Sequence, residues 1–348
     1  MALAPGARAT RSINLLDVVR DDTGTIDCSA ARRAWEAAGA RQRFLPVSRR
    51  RVRVLELGRR GHPLVLFHGV GGWAETWGEL LPVLAHAGYH VFAVDLPGFG
   101  QSTPPGRARY FDVKRSYYVR WAQRLLDALQ LRRVTLLGHS LGGTVAMLTA
   151  ASAPARVARL VLLAPGGFGD PGAYIRMMGL PFGEHLAPYV PDRLIRSFLR
   201  SNVYDPECLP AWLYEDAVRY SRAGGGVELA RVMAQAISSF RGAGVLREKW
   251  RRRLMRVQCP TLVLWGREDR TLPVSHAVDA AATLPGAVVE VIERAGHLLM
   301  LEKPLLVQRA LLAFLDVTAA RLAARSLANA GSTEALNSGT DFAMPSAL

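Results

Sequence analysis

Cysteine is scarce in this sequence: Cys28, Cys208 and Cys259 stand far apart in a chain of 348 residues. Three cysteines at such spacing form neither a disulfide framework nor a metal-ligand motif, so we expect a reducing compartment. The start of the chain lacks the apolar stretch of a secretory signal peptide. No segment approaches the roughly 20 apolar residues that span a bilayer. These absences predict a cytoplasmic protein without an integral membrane segment.

Acidic residues are outnumbered by basic ones, which gives a formal net charge of +15. Phosphate binding requires clustered cations, so this charge raises the question of a nucleic-acid partner. Most arginines are spread along the chain. The two runs, Arg49–Arg51 and Arg251–Arg253, are not interleaved with aromatic residues and belong to no recognisable nucleic-acid module. We therefore expect solvated faces or a basic rim that attracts anions, and no nucleic-acid partner.

The hydrophobic content of 50% and the charged content of 21% are typical of a globular protein. Short runs of Val, Leu and Ile alternate with helix-like segments, which predicts a mostly parallel sheet covered by helices on both faces. The predicted strands are Arg43–Val47, Val52–Leu57, Leu64–Phe67, Val91–Val94, Val134–Leu137, Leu160–Leu163, Leu262–Trp265 and Val288–Ile292. The predicted helices are Glu75–His86, Val113–Gln130, Leu141–Ala153 and Ser275–Ala282. The first two strands are predicted to form an antiparallel hairpin at the sheet edge.

The alternation stops between Gly169 and about Arg256, where six prolines interrupt helix-like pieces. An insertion of this length between two core strands predicts a helical cap over the carboxyl edge of the sheet. The expected organisation is an N-terminal extension (1–41) with a short helix at Ala30–Ala38, a core (42–168 and 257–318), a cap (169–256) and a partly disordered tail (319–348).

The strongest local motif is Gly138-His139-Ser140-Leu141-Gly142, a G-x-S-x-G pattern between a predicted strand and a predicted helix. A serine on such a tight turn occupies strained backbone, and small neighbours are needed to avoid clashes. The turn lifts the Ser140 hydroxyl above the sheet edge and directs the Leu141 N–H, at a helix N-terminus, toward a developing oxyanion. Ser140 is therefore the predicted nucleophile.

A second glycine-rich motif, His68-Gly69-Val70-Gly71-Gly72-Trp73, follows the strand Leu64–Phe67. No Lys-Ser/Thr pair follows it, as a P-loop requires, and the spacing is not that of a dinucleotide site. The glycines let the backbone approach the nucleophile, so Val70 N–H is the predicted second oxyanion donor. Loss of one such donor typically lowers the rate by about 10²–10³. His68 is interpreted as a brace for this loop.

A nucleophilic serine needs a base, and His297 is the best placed of eight histidines because its loop follows the last predicted strand. His139 adjoins the nucleophile but is expected to point away from it and to pack beneath the turn. His185 lies in the predicted cap, where it could line the pocket. Solvated or packing roles are expected for the histidines in turns and on helix faces, which are His62, His86, His90 and His276.

Asp269 is the predicted acid, because it follows the strand Leu262–Trp265 and gives the chain order Ser, Asp, His. An aspartate here would hold the imidazole in the tautomer that accepts the serine proton, an effect worth about 10⁴ in rate. The alternatives are Glu268, expected to face solvent, and Asp170, which follows another strand. Asp95 is interpreted as a residue that fixes a turn.

These motifs, together with Asp95-Leu96-Pro97-Gly98-Phe99-Gly100-Gln101-Ser102 and Trp265-Gly266-Arg267-Glu268-Asp269, resemble the α/β-hydrolase superfamily from about Arg43 to Leu315. The resemblance is greatest to carboxylesterases, small lipases and C–C bond hydrolases of ring-cleavage products. It implies an α/β-hydrolase fold with an eight-stranded sheet and a lid-like cap, and acyl-enzyme chemistry with no cofactor and no metal.

Differences between this sequence and particular branches of the superfamily reduce the number of reactions that we expect. Epoxide hydrolases and dehalogenases of this fold carry Asp where this chain has Ser140, and cofactor-free haloperoxidases often carry an aromatic residue where it has Leu141. C–C hydrolases commonly have Asn where it has His139, which favours an esterase or lipase.

Three hypotheses stay open: an ester hydrolase, a C–C hydrolase and a non-enzymatic binding protein of the same fold. The predicted partner is a small apolar or aromatic ester. A set of apolar cap residues would suit such a group, unless they serve only the packing of the cap itself: Met177, Met178, Leu180, Phe182, Tyr189, Leu194, Phe198, Trp212 and Tyr214. Nothing in the sequence indicates the oligomeric state.

Overall fold

In the computed structural model, eight strands form one sheet in the order β1-β2-β4-β3-β5-β6-β7-β8. The strands are Arg41–Val47 (β1), Arg50–Leu57 (β2), Pro63–Phe67 (β3), His90–Val94 (β4), Val134–His139 (β5), Val157–Leu163 (β6), Thr261–Gly266 (β7) and Val288–Ile292 (β8). β2 is antiparallel to its neighbours β1 and β4, and the remaining pairs are parallel. The predicted strands and the edge hairpin are confirmed.

The structure describes residues 35–106, 108–112, 116–170, 183–240, 245–316 and 318. The predicted tail 319–348 and most of the predicted N-terminal extension lie outside these residues. Of the predicted helix Ala30–Ala38, residues 35–38 are described; 35–37 are helical and 38 is in a turn.

The central strands are buried on both faces because alternate side chains enter two separate hydrophobic cores. In β3, Val65 and Phe67 belong to one core, and Leu64 and Leu66 belong to the other. β5, β6 and β7 are buried along their whole length. The sheet therefore holds the loops at its carboxyl edge in fixed positions.

Besides the helical residues 35–37, eleven α-helices surround the sheet in the described part of the chain. They are Leu80–His86 (α1), Tyr117–Ala128 (α2), Leu141–Ser152 (α3), Gly183–Leu186 (α4), Asp192–Ser201 (α5), Ala211–Tyr220 (α6), Gly226–Phe240 (α7), Val245–Leu254 (α8), Ser275–Thr283 (α9), Leu299–Glu302 (α10) and 304–316 (α11). The predicted helix Glu75–His86 is interrupted: a 3₁₀ turn, Ala74–Trp77, precedes α1 because Gly78 takes a positive φ of 52°. Helix α2 begins after Ser116, whose hydroxyl accepts from Val119 N–H.

The segment between β6 and β7 carries α4 to α8. Residues of α4 to α7 line a cavity at the carboxyl edge of the sheet. Helix α8 packs instead beside α3, where Trp250 joins the core and Arg253 donates to the Ser152 hydroxyl. The last helix of the predicted cap thus packs with the core helices. No helix within the described ranges is both long enough and apolar enough to cross a membrane.

Candidate active site

The turn between β5 and α3 places Ser140 in strained backbone, with φ 51° and ψ −114°. Such angles are unfavourable for a residue with a Cβ and persist where the surroundings enforce them. Glycine is required on both sides. A Cβ on Gly138 would lie 2.3 Å from the Gly142 carbonyl oxygen, and one on Gly142 would lie 1.9 Å from the Phe67 carbonyl oxygen. The close approach of strand, turn and helix therefore fixes Ser140 at the cavity wall.

The backbone amides of two cavity-lining residues are the predicted oxyanion donors. Val70, in the loop after β3, and Leu141, the first residue of α3, both line the cavity with Ser140. Neither amide donates to a backbone carbonyl within the part of the chain that the structure describes. Both residues predicted as oxyanion donors thus border the same space as the predicted nucleophile.

The loop that contains Val70 is held by His68, as predicted. His68 is fully buried, and its Nδ1 donates to the Gly69 carbonyl at 2.7 Å while its Nε2 accepts from Leu96 N–H at 2.9 Å. Burial lowers the pKa of His68 to about 4. The imidazole is therefore neutral at pH 7 and links the ends of β3 and β4.

Asp95 also holds this loop. Its two carboxylate oxygens accept from Ala74 N–H at 2.7 Å and from Gln101 N–H at 2.8 Å, and one also accepts from Arg53 at 3.3 Å. Arg53 pairs in addition with Glu75. Burial raises the pKa of Asp95 to about 6, although the Arg53 charge opposes the shift. These contacts agree with the interpretation of Asp95 as a turn-fixing residue.

The loops after β7 and β8 bring Asp269 and His297 together. His297 Nδ1 lies 2.7 Å from Asp269 Oδ2, and the imidazole and carboxylate are 5% and 0% exposed. The other carboxylate oxygen accepts from Thr271 N–H and Leu272 N–H, both at 2.8 Å. With Nδ1 donating to the carboxylate, Nε2 of a neutral His297 carries a lone pair that can accept a proton.

The rival acids occupy other positions. Glu268 is partly exposed and accepts from Ala295 N–H at 2.9 Å, so it supports the loop that carries His297. Asp170, after β6, is exposed. Among the weighed acids, Asp269 is therefore the one bonded to the candidate base.

The expectation that His139 packs beneath the turn is wrong. His139 lines the cavity, and its Nε2 donates to the His297 carbonyl at 2.9 Å. The two imidazole rings lie 4.7 Å apart, centroid to centroid. The ring fits on this side because Gly69 has no Cβ: one there would lie 2.6 Å from His139 Nδ1. Burial, and then the proximity of His297, hold the pKa of His139 well below its usual range.

Two residues at the site carry no local sequence signal. Glu302, in α10, accepts from Gly296 N–H at 2.6 Å and from Tyr204 and Asp205 N–H at 2.7 and 2.8 Å. Asn202, the C-cap of α5, accepts His297 N–H on its backbone oxygen at 2.6 Å. Both join the loop of the candidate base to the segment between β6 and β7.

The cavity has a volume of about 510 Å³. The described residues that line it include no Lys, Arg, Asp or Glu. Of the apolar cap residues singled out in the sequence, Leu194 and Phe198 line it and Trp212 packs against Trp73. Tyr189 and His185 are exposed, and His185 is not among the lining residues. Tyr214 is buried but is not among the lining residues. The last four candidates, Met177, Met178, Leu180 and Phe182, lie outside the described residues.

Residues 62–304 match the family model described as alpha/beta hydrolase fold. The chain belongs to this family. It is 34% identical over 285 residues to the dihydrolipoyllysine-residue acetyltransferase component of the acetoin cleaving system of Pseudomonas putida, with 81% of this chain and 71% of the relative covered.

A second relative is a 2-hydroxy-6-oxononadienedioate/2-hydroxy-6-oxononatrienedioate hydrolase of Cupriavidus pinatubonensis, 30% identical over 255 residues, with 71% of this chain and 84% of the relative covered. Among solved structures, a membrane phospholipase A superposes with a TM-score of 0.68 and 26% identity, with 83% of this chain and 90% of that chain covered. The family thus includes both lipid hydrolases and C–C bond hydrolases, and the protein is assigned to the hydrolases.

Proposed function

We propose that the protein hydrolyses uncharged carboxylic esters with apolar acyl or aromatic groups, through a covalent acyl-Ser140 intermediate. The observation that supports this most is the buried hydrogen bond between Asp269 and His297 in a cavity that strained Ser140 also lines. A nucleophile, a base and a group that orients the base are the minimum set for this chemistry.

In the proposed first half-reaction, Ser140 Oγ attacks the ester carbonyl while His297 Nε2 takes the hydroxyl proton. Asp269 stabilises the imidazolium that forms, and the Val70 and Leu141 amides donate to the tetrahedral oxyanion. Collapse of this intermediate breaks the bond to the alcohol oxygen. His297 returns its proton to the departing alcohol, and the acyl group stays on Ser140.

In the second half-reaction, His297 takes a proton from a water molecule, and the resulting nucleophile attacks the acyl-Ser140 carbonyl. The same two amides receive the second oxyanion. His297 then protonates Ser140 Oγ as the carboxylic acid leaves, which restores the starting state.

A C–C hydrolase is the second candidate, favoured by the name of the Cupriavidus relative. Its dioate substrates bring carboxylates into the cavity. A carboxylate is costly to bury without a cation, and the described lining includes no Lys or Arg. An uncharged ester avoids this penalty, and we therefore propose an ester as the substrate.

Matched p-nitrophenyl esters separate these two candidates. We expect kcat/KM for the valerate ester to exceed that for the equally long hemiglutarate ester by at least about tenfold, since burial of the carboxylate is unfavourable. The measurement is initial p-nitrophenolate release over a range of salt concentrations, which screens effects of the net charge. Equal turnover of the acidic ester, or faster cleavage of a dienoate C–C substrate, would overturn the preference.

Replacement of Ser140 tests whether the protein is an enzyme of this kind. Ser140→Ala is expected to abolish both turnover and covalent labelling by a p-nitrophenyl phosphonate, because both need the hydroxyl. Mass spectrometry of the labelled peptide provides the measurement, and Ser152→Ala, in the last turn of α3, is the control. Ligand binding by wild-type protein that neither labels nor turns over any ester would instead support a non-enzymatic binding protein.

A further inference from the structure

The segment between β6 and β7, here called the cap segment, meets the candidate active site at Asn202. Besides its own N–H, which donates to the Leu199 carbonyl at 3.1 Å, Asn202 makes four hydrogen bonds there. Its Nδ2 donates to the Phe198 carbonyl at 2.6 Å, which fixes the amide orientation because a carbonyl only accepts. Oδ1 therefore faces the Thr271 hydroxyl, which donates to it at 2.6 Å. The backbone oxygen accepts from His297 N–H at 2.6 Å and from Leu298 N–H at 3.3 Å. Asn202 is 3% exposed.

These bonds close a ring through the candidate acid and base. Thr271 donates its hydroxyl to Asn202 and its N–H to Asp269 Oδ1, while Asp269 Oδ2 accepts from His297 Nδ1. His297 N–H then returns to the Asn202 carbonyl. Each member of the ring is thus held by the next, and the one member that comes from outside the loops after β7 and β8 is Asn202.

We infer that Asn202 is a positioning residue, which holds the Asp269–His297 pair in register from the cap segment by way of Thr271. This inference rests on the proposed function for its kinetic consequence. Asn202 lines the cavity beside His297, so the same residue that closes the ring also borders the space for substrate. A displacement of α5 would reach both the acid loop and the base loop, because the ring joins them to its C-terminus.

The matched control lies one residue away. Ser201 donates its hydroxyl to the Phe198 carbonyl at 2.7 Å, the same acceptor that Asn202 Nδ2 uses, but it takes no part in the ring. Ser201→Ala therefore removes a bond at the end of α5 without opening the ring. Thr271→Val opens the ring at its hydroxyl and keeps the N–H bond to Asp269, while Thr271→Ser keeps both.

We expect Asn202→Ala and Thr271→Val each to lower kcat by about 10- to 100-fold, since a small misplacement of a catalytic group has effects of this size. KM should stay nearly constant. The kcat of the double variant should be no lower than that of the less active single variant, since one break already opens the ring. Thr271→Ser should restore kcat, and Ser201→Ala should change it by less than about twofold.

A second measurement does not need turnover. The His297 Nδ1 proton, identified by its loss in His297→Gln, is followed by NMR in histidine-labelled full-length protein. Its exchange with water should be faster in Asn202→Ala and Thr271→Val than in Ser201→Ala. If both ring variants match Ser201→Ala in proton exchange and in kcat, the positioning role is wrong. If wild-type protein turns over no ester and Ser140 is unlabelled, the proposed hydrolase fails, and proton exchange alone decides the role of Asn202.

Discussion

The carboxylate of Asp269 accepts three hydrogen bonds, two from backbone amides and one from His297. Asp269→Asn retains the shape but offers an NH₂ group in place of one acceptor, which favours the wrong imidazole tautomer. We expect kcat to fall by about 10⁴. Steady-state ester hydrolysis provides the measurement. Asp170→Asn, at an exposed position after β6, should be unaffected, and the reverse pattern would move the acid to that strand.

Single residues differ in how far the sequence reveals them. Ser140 stands in a motif that its immediate neighbours define, and the positions of His297 and Asp269 follow from the strands before them. The contacts of Asn202 with His297 and of Glu302 with Tyr204 join residues almost a hundred positions apart, and no spacing in the sequence indicates such pairs. The orientation of His139 depends on the space that Gly69 leaves, which is a property of the assembled loops.

Helix α7 meets the core through Glu228, a carboxylate with little solvent contact. Glu228 is 1% exposed, and Tyr110 donates its hydroxyl to Oε1. Within the described residues, Oε2 has no hydrogen-bond partner. Burial raises the pKa of Glu228 to about 7, although the Tyr110 hydrogen bond and the Arg231 charge oppose the shift. The folded protein thus holds this proton in a pH range where the unfolded chain has released it.

This difference makes stability depend on pH. Between pH 4.5 and about 7 the folded state binds more protons at Glu228 than the unfolded state, so the Glu228 contribution becomes less favourable as pH rises. Glu228→Gln keeps the acceptor for Tyr110 and removes the ionisation. As pH rises from 4.5 to about 7, the free energy of unfolding of Glu228→Gln should increase relative to that of the wild type, by at most about 3 kcal/mol. Urea unfolding at pH 5 and pH 8 measures it, and a difference independent of pH would contradict the prediction.

Strands and helices were predictable from the sequence where the pattern of apolar residues is unambiguous. Continuous branched apolar runs define the buried strands, because helices cover both faces of the sheet. The prediction of one continuous helix over Glu75–His86 is wrong at Gly78, because the positive φ of Gly78 depends on how the loop after β3 packs. Apolar spacing alone does not report that packing.

At the scale of the whole molecule, the cap segment shares both hydrophobic cores with the sheet. Val203 and Leu213 belong to one core and Val232 to the other, and Trp73 of the core packs against Trp212 and Tyr220. Shared burial couples the two parts, so they should lose structure together.

We therefore expect far-UV circular dichroism and tryptophan fluorescence to show one coincident thermal transition. Trp212→Ala should move both signals to lower temperature by the same amount, because its ring supports the contact between cap and core. An early transition in fluorescence alone would show that the cap unfolds separately.

The dual attachment of Glu302 bears on attempts to change specificity by exchange of caps between hydrolases. Its carboxylate holds the loop before His297 with one oxygen and the chain at Tyr204 and Asp205 with the other. A grafted cap whose backbone does not bring N–H groups to the positions of Tyr204 and Asp205 would leave this carboxylate without two of its donors and would loosen the loop of the base. A chimera that transfers the cap, including Tyr204 and Asp205, together with the stretch from Gly296 to Glu302 would keep all three hydrogen bonds of this carboxylate. The practical unit of recombination is therefore discontinuous in sequence.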